Sequence, residues 1–136
     1  MKLSSEGKKA LIQREGSRRK AYKDTKGIWT IGVGHTGPEV FEGLAWSDAQ
    51  IEWAFDVDVE WAEEAAGAVE APLTQNQFDA LVSFIFNVGA YAFKTSTMKR
   101  LLDKGEYEAA GKEFDKWHKP KEIIGRRNSE RKQSLS

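Results

Sequence analysis

The feature that most constrains this chain is a proline-free run from Ser47 to Ala66. It opens on a Ser cap candidate, and its apolar residues recur at helical spacing. Ile51, Phe55, Ala62, Ala65 and Val69 make one stripe, and Trp53, Val57 and Trp61 make a neighbouring one. At 1.5 Å per residue such a helix runs about 30 Å, enough to join two lobes of different character. The residues before it turn and alternate like a small sheet, whereas those after it repeat at helical spacing. The expectation is one α+β domain with a sheet lobe over 1–46, a connecting helix over 47–71 and a helical lobe over 72–136. A chain of 136 residues is long enough for one such core.

Net charge is zero, but its distribution is uneven. Residues 1–50 hold nine Lys/Arg against six Asp/Glu, residues 51–80 hold none against eight, and residues 81–136 hold twelve against seven. The acidic block reads as the solvated face of the long helix rather than a metal site. Its two Trp read as core, with a sugar platform as the alternative. Balanced charge and the lack of a recognised binding motif argue against a nucleic-acid partner. No stretch reaches the roughly 18 apolar residues of a membrane span, and Met1-Lys2-Leu3 leads directly into a helix. The chain is therefore read as carrying no export signal, no membrane anchor and no stable membrane insertion. With no cysteine there is no disulfide framework, which suits a reducing cytoplasm.

The N-terminal lobe carries the chemistry. A helix capped near Ser4 or Ser5 should end at Glu15, because Gly16 follows. A loop over 16–20 leads to Ala21-Tyr22-Lys23-Asp24, and Thr25-Lys26-Gly27 makes a turn that puts Asp24 at a hairpin tip. In a strand from Ile28 to His35, alternation places Thr30, Gly32 and Gly34 on one nearly bare face, open to a flat ligand such as a polysaccharide. Two carboxyls and a hydroxyl beside such a face suit glycoside hydrolysis, which needs one protonated and one ionised carboxyl flanking the bond. The negative end of a helix favours Glu15 as the proton donor. Asp24, beside Lys23 and Lys26, is the ionised partner, and the Thr30 hydroxyl can hold water. The alternative is a pair of ordinary surface carboxylates in a lysine-rich loop. His35 invites a metal reading, but His118 is its only companion and the chain has no cysteine. It is read as a structural hydrogen bond or ion pair to a carboxylate, with no metal and no cofactor.

Glu15-Gly16, Ala21-Tyr22-x-Asp24, Gly27-x-Trp29-Thr30-Ile31-Gly32-x-Gly34-His35-Thr36, the run from Leu73-Thr74 through Gln77-Phe78 to Phe86-Asn87-x-Gly89, and Ser96-Thr97 together resemble the phage-type, T4-like lysozymes, an endolysin family of glycoside hydrolases. The likeness runs from about Glu6 to Arg131. It implies a lysozyme-like fold and a muramidase that cuts the β-1,4 bond between N-acetylmuramic acid and N-acetylglucosamine in peptidoglycan. By the same resemblance Glu15 is the acid, Asp24 serves water or charge, Thr30 positions water, and a single displacement inverts the sugar. Gly34, Thr36, Phe86, Asn87 and Thr97 are implied as glycan contacts, with Phe86 as core filler the alternative. The implied protein is a monomer, held in the host cytoplasm until released to the wall.

In the helical lobe, Thr74 and Gln77 form a capping-box pattern after Pro72. Phe78, Leu81, Val82, Ile85 and Phe86 then form its centre, and Asn87 at the end of this run requires a partner. Further helices are expected over 97–104, 106–117 and 123–132, separated by Gly105 and His118-Lys119-Pro120. The chain departs from the family near its end. Relatives have Gly-Leu-x-x-Arg-Arg where this chain has Glu122-Ile123-Ile124-Gly125-Arg126-Arg127, so the docking of the last helix does not follow from the resemblance. Arg126, Arg127, Arg131 and Lys132, with Lys116, Lys119 and Lys121, read as a basic surface helix or frayed tail. The alternative is attraction to anionic wall polymers or lipid. Two other functions compete with a lytic hydrolase: a non-catalytic peptidoglycan-binding module, which does not need Glu15 and Asp24 as a pair, and a lytic transglycosylase, which needs neither Asp24 nor Thr30.

Overall fold

The computed structural model describes residues 1–117 and 124–136. The expected break at His118-Lys119-Pro120, and Lys121, Glu122 and Ile123 beyond it, lie outside the described residues. The chain divides into two compact units, one of Lys9–Glu60 and one of Met1–Lys8 with Trp61–Ser136.

In the first unit, the helix α1 (Ser5–Glu15) supplies its C-terminal part, and the Gly16 N–H closes it on the Ile12 carbonyl at 2.8 Å. Three antiparallel strands follow in the order β1 (Arg18–Lys23), β2 (Trp29–Gly32) and β3 (His35–Thr36). Strand β1 begins earlier than the expected loop allowed. Its outer edge is occupied: Ala21 donates to the Leu44 carbonyl, Trp46 donates to that of Arg19, and Lys20 bridges Ala45.

The strand expected to run unbroken from Ile28 to His35 is two strands. Ile31 pairs with His35, and Gly32-Val33-Gly34 turns the chain between them with φ of +64° and +71° at the two glycines. Both glycines serve a left-handed turn, and of the two only Gly34 is open to solvent. A Cβ on Gly32 would meet the Trp46 ring at 3.3 Å, so that space is already filled by Trp46. Leu11, Ile31, Val33, Val40, Ile51 and Phe55 are buried in this unit.

The expected connecting helix is divided at Val59. Helix α2 (Asp48–Asp58) has the full capping box, with Ser47 and Gln50 satisfying each other's backbone N–H groups. Helix α3 (Glu60–Gly67) follows after the single turn residue. Two β-branched residues and an aspartate, Val57-Asp58-Val59, are weak helix formers, and the Asp58 carboxylate is held by His35. Ile51, Phe55 and Ala62 are buried as expected, but Trp53 is 71% and Trp61 40% exposed, so neither Trp belongs to the core.

The second unit centres on α4 (Gln75–Val88), which begins with the Thr74–Gln77 capping box and buries Phe78, Leu81, Val82, Phe84 and Ile85. After Gly89 come α5 (Ala90–Lys94), which the sequence reading did not anticipate, and α6 (Thr97–Asp103), capped by Ser96. The helix expected over 106–117 is α7 (Tyr107–Glu113) followed by a 3₁₀ turn, Phe114–Lys116. The last helix, α8 (Ile124–Ser134), packs on α4. The first residues of the chain also belong here: Asp79, 1% exposed, accepts from the Ser4 hydroxyl and backbone, and Glu63 accepts from the Leu3 N–H at 2.8 Å. No helix among the described residues is long and apolar enough to cross a membrane.

Candidate active site

Glu15, Asp24, Thr30, Gly34, His35 and Thr36 all fall in the Lys9–Glu60 unit. Glu15 is the last residue of α1 and is half-buried. Asp24 stands at the β1–β2 turn as expected. Its Oδ1 accepts from the backbone N–H of Lys26 at 2.8 Å and of Ile28 at 2.9 Å, the self-capping that suits Asp to turns. Its Oδ2 takes no hydrogen bond from the described residues. The carboxyl plane is thus fixed by one oxygen while the other is available.

Strand pairing decides which residues share a face with Thr30. Tyr22 of β1 and Thr36 of β3 are its direct partners, so Tyr22, Thr30 and Thr36 form a cross-strand row. Thr30 is not on the bare face the alternation suggested, since only 4% of its surface is exposed. Its hydroxyl donates to the Ile28 carbonyl at 2.9 Å, which leaves Oγ1 to act as an acceptor. Gly34 and Thr36 are exposed, and Thr36 lies beside Thr30 by register. Tyr22 is the member of the row the sequence reading gave no role. The Arg18 guanidinium lies 4.5 Å from its ring centroid. A Tyr two residues before the turn aspartate was the available signal.

His35 is clasped by two carboxylates: Nδ1 is 2.7 Å from Asp58 and Nε2 is 2.6 Å from Glu39. Burial alone would lower its pKa, but hydrogen bonds to Asp58 and Glu39, with their charges, outweigh burial and raise it above 6.5. The hydrogen bond to His35 in turn lowers Glu39. The expected carboxylate partner is present, and a second one joins it. With both ring nitrogens engaged, the group is built as a fastener between β3 and α2.

Phe86, Asn87 and Thr97 belong to the other unit. Phe86 is half-buried and stacks on Trp61, with centroids 5.9 Å apart and planes at 21°. The partner required by Asn87 is Arg127, whose Nη2 donates to Oδ1. Thr97 is exposed and accepts from Arg100 at 2.9 Å.

The basic end of the chain is only in part the surface helix that its composition suggested: Lys116 and Lys132 are exposed, whereas Arg126 and Arg127 turn inward. Arg127 is 1% and Glu130 0% exposed, joined at 2.6 Å. Arg126 binds Glu130 at 3.0 Å and donates to the Ser83 carbonyl at 2.7 Å, while the Ser83 hydroxyl donates to Glu130 at 2.5 Å. Arg127 also donates to the Trp117 carbonyl and lies 5.0 Å from the Phe84 ring. The Glu130 pairs lie at helical spacing, but the groups on α4 that complete the burial, Ser83 and Asn87, are 40 residues or more away in sequence, so helical periodicity could not reveal that these charges turn inward.

The phage lysozyme family profile matches residues 12–131. The endolysin of Salmonella phage P22 is 42% identical over 145 residues, covering 100% of this chain and 99% of its own length. A crystal structure of a mutant P22 lysozyme superposes with a TM-score of 0.94 at 41% identity, covering 100% of this chain and 99% of that one. The muramidase domain of SpmX from Asticaccaulis excentricus gives a TM-score of 0.89 at 35% identity, covering 99% of this chain and 98% of that one. On the sheet and helices described above and on these likenesses, the chain belongs to the phage lysozyme family of glycoside hydrolases.

Proposed function

We propose that this protein is an endolysin, a muramidase that hydrolyses the β-1,4 bond between N-acetylmuramic acid and N-acetylglucosamine in bacterial peptidoglycan and so lyses the host. The observation that carries this reading is the Asp24 carboxylate, anchored by two backbone N–H groups through Oδ1, with Oδ2 unengaged by the described residues, on the hairpin that also carries Thr30. A water placed there donates one proton to Asp24 Oδ2 and the other to Thr30 Oγ1, whose own proton is committed to Ile28. The water's lone pair is then directed outward at the anomeric carbon.

Glu15 gives its proton to the glycosidic oxygen as the C–O bond breaks, and Asp24 takes the proton that the attacking water loses. Positive charge at the anomeric carbon is met by the Asp24 carboxylate, and attack opposite the leaving group inverts the sugar. Gly34, Thr36, Phe86, Asn87 and Thr97 are assigned to glycan binding. The protein works as a monomer and needs no metal or cofactor.

Purified peptidoglycan incubated with the wild type and with Glu15→Gln, followed by mass spectrometry, tests this reading. Reducing muropeptides from the wild type, reduced by about 10²–10⁴-fold in Glu15→Gln, are expected. Anhydro products would replace the reading with a transglycosylase, and binding without any release would replace it with a wall-binding module.

A further inference from the structure

The β1–β2 hairpin holds an excess of positive charge that the fold does not use. Residues 18–26 contain five Lys/Arg and one carboxylate in a chain of zero net charge. Arg19 is paired, its guanidinium meeting both Asp48 oxygens at 2.9 Å. Arg18, Lys20, Lys23 and Lys26 are exposed, and among the described residues no carboxylate lies within ion-pair distance of any of them. Lysines on a strand commonly guard an open edge against pairing with another chain. That explanation fails for β1, whose outer edge is covered by Leu44–Trp46.

Two of these cations are also held in place by rings. Arg18 lies 4.5 Å from the Tyr22 centroid, on the ring that pairs with Thr30, and Lys23 lies 5.4 Å from that of Trp29. A cation resting on an aromatic face keeps its charge outward and loses little freedom when it meets an anion.

Building on the muramidase reading, we infer that Arg18, Lys20, Lys23 and Lys26 form a carboxylate-reading surface that binds the peptide stems of peptidoglycan beside the bond to be cut. The glycan backbone of intact wall is largely uncharged, whereas the stems carry free carboxylates. A hairpin that bears Asp24 repels such substrates unless nearby cations offset it. Arg18, beside the Tyr22–Thr30–Thr36 row, is the specificity-determining member, and the three lysines provide the surrounding field.

The test is binding of the full chain, in the Glu15→Gln background, to sacculi freed of lipid and teichoic acid, measured by co-sedimentation. Sacculi are used native and after carbodiimide amidation of their carboxylates. Amidation is expected to weaken binding roughly tenfold. The variant with Arg18, Lys20, Lys23 and Lys26 all replaced by Gln should bind native sacculi about tenfold more weakly and be indifferent to amidation, with Arg18→Gln alone giving the largest single part. A folded quadruple variant that keeps the full amidation response overturns the inference, as does a parent chain insensitive to amidation. Tighter binding to phosphatidylglycerol vesicles than to native sacculi assigns the surface to lipid phosphate and also overturns it. Because the readout is binding, failure of the wild type, with Glu15 intact, to release reducing ends from any sacculus counts against the muramidase reading alone.

Discussion

The β1–β2 hairpin and the α4–α8 contact are both rich in basic residues, and they use them in opposite ways. In the hairpin, Arg18, Lys20, Lys23 and Lys26 face solvent, with no carboxylate among the described residues in ion-pair distance. In the α4–α8 contact, Arg127 is 1% exposed and shares the fully buried Glu130 with Arg126. A charge removed from water is retained only when it is paired and hydrogen-bonded, so each buried arginine here is committed to structure. A charge left in water contributes little to folding and remains available to a ligand.

The comparison can be broken at Glu130. Glu130→Gln should destabilise the protein by about 3–5 kcal/mol, because two guanidinium groups then lose their shared buried counter-charge. Urea denaturation gives this directly, and a loss under 1 kcal/mol would show that these arginines are not structural.

Gly32→Ala sharpens the comparison within the hairpin unit. The new Cβ sits in a left-handed conformation and 3.3 Å from Trp46, so a cost of about 1–3 kcal/mol is expected with the α4–α8 contact untouched. A neutral result in the same denaturation assay would contradict the turn assigned to Gly32-Val33-Gly34.

His35→Asn probes a charged group of the hairpin unit that is paired. His35 has a raised folded pKa, so its contribution is complete below the ordinary value of 6.5 and fades as pH rises through the raised value. Glu39 has a lowered one, so its contribution is present above the ordinary 4.5 and fades as pH falls through the lowered value. The clasp is strongest between those two limits. The Tm gap between wild type and His35→Asn should be roughly 3–6 °C near pH 6 and shrink by pH 9. A gap independent of pH would assign His35 a packing role only. Lys23→Gln and Lys26→Gln stand at the small end, within about 0.5 kcal/mol of wild type in urea. A larger loss would mean that the hairpin cations stabilise the fold.

Much of the local structure of the candidate site was legible because its signals are local. The end of α1 at Glu15 follows from Gly16, and Asp24 caps its own turn through N–H groups two and four residues on. The environment of Thr30 was not legible. Alternation assumed a strand reaching His35, while the glycines at 32 and 34 reversed the chain and left Thr30 in the middle of a three-stranded sheet. The exposed Trp53 and Trp61 misled for the reverse reason: periodicity finds a stripe but not what covers it.

The sequence by itself determined the α+β class, the helix starts at Ser47 and at Thr74–Gln77, the Asp24 turn and the family. These depend on hydrogen bonds and apolar repeats spanning a few residues, which any window of the chain contains. Only the tertiary structure decided that α2 and α3 part at Val59, that His35 meets both Asp58 and Glu39, and that Arg126 and Arg127 turn inward while Arg18 and its neighbouring lysines remain outside. The reason is that burial of a charge depends on partners supplied from distant points of the chain, such as Ser83 and Asn87 for the arginines of α8.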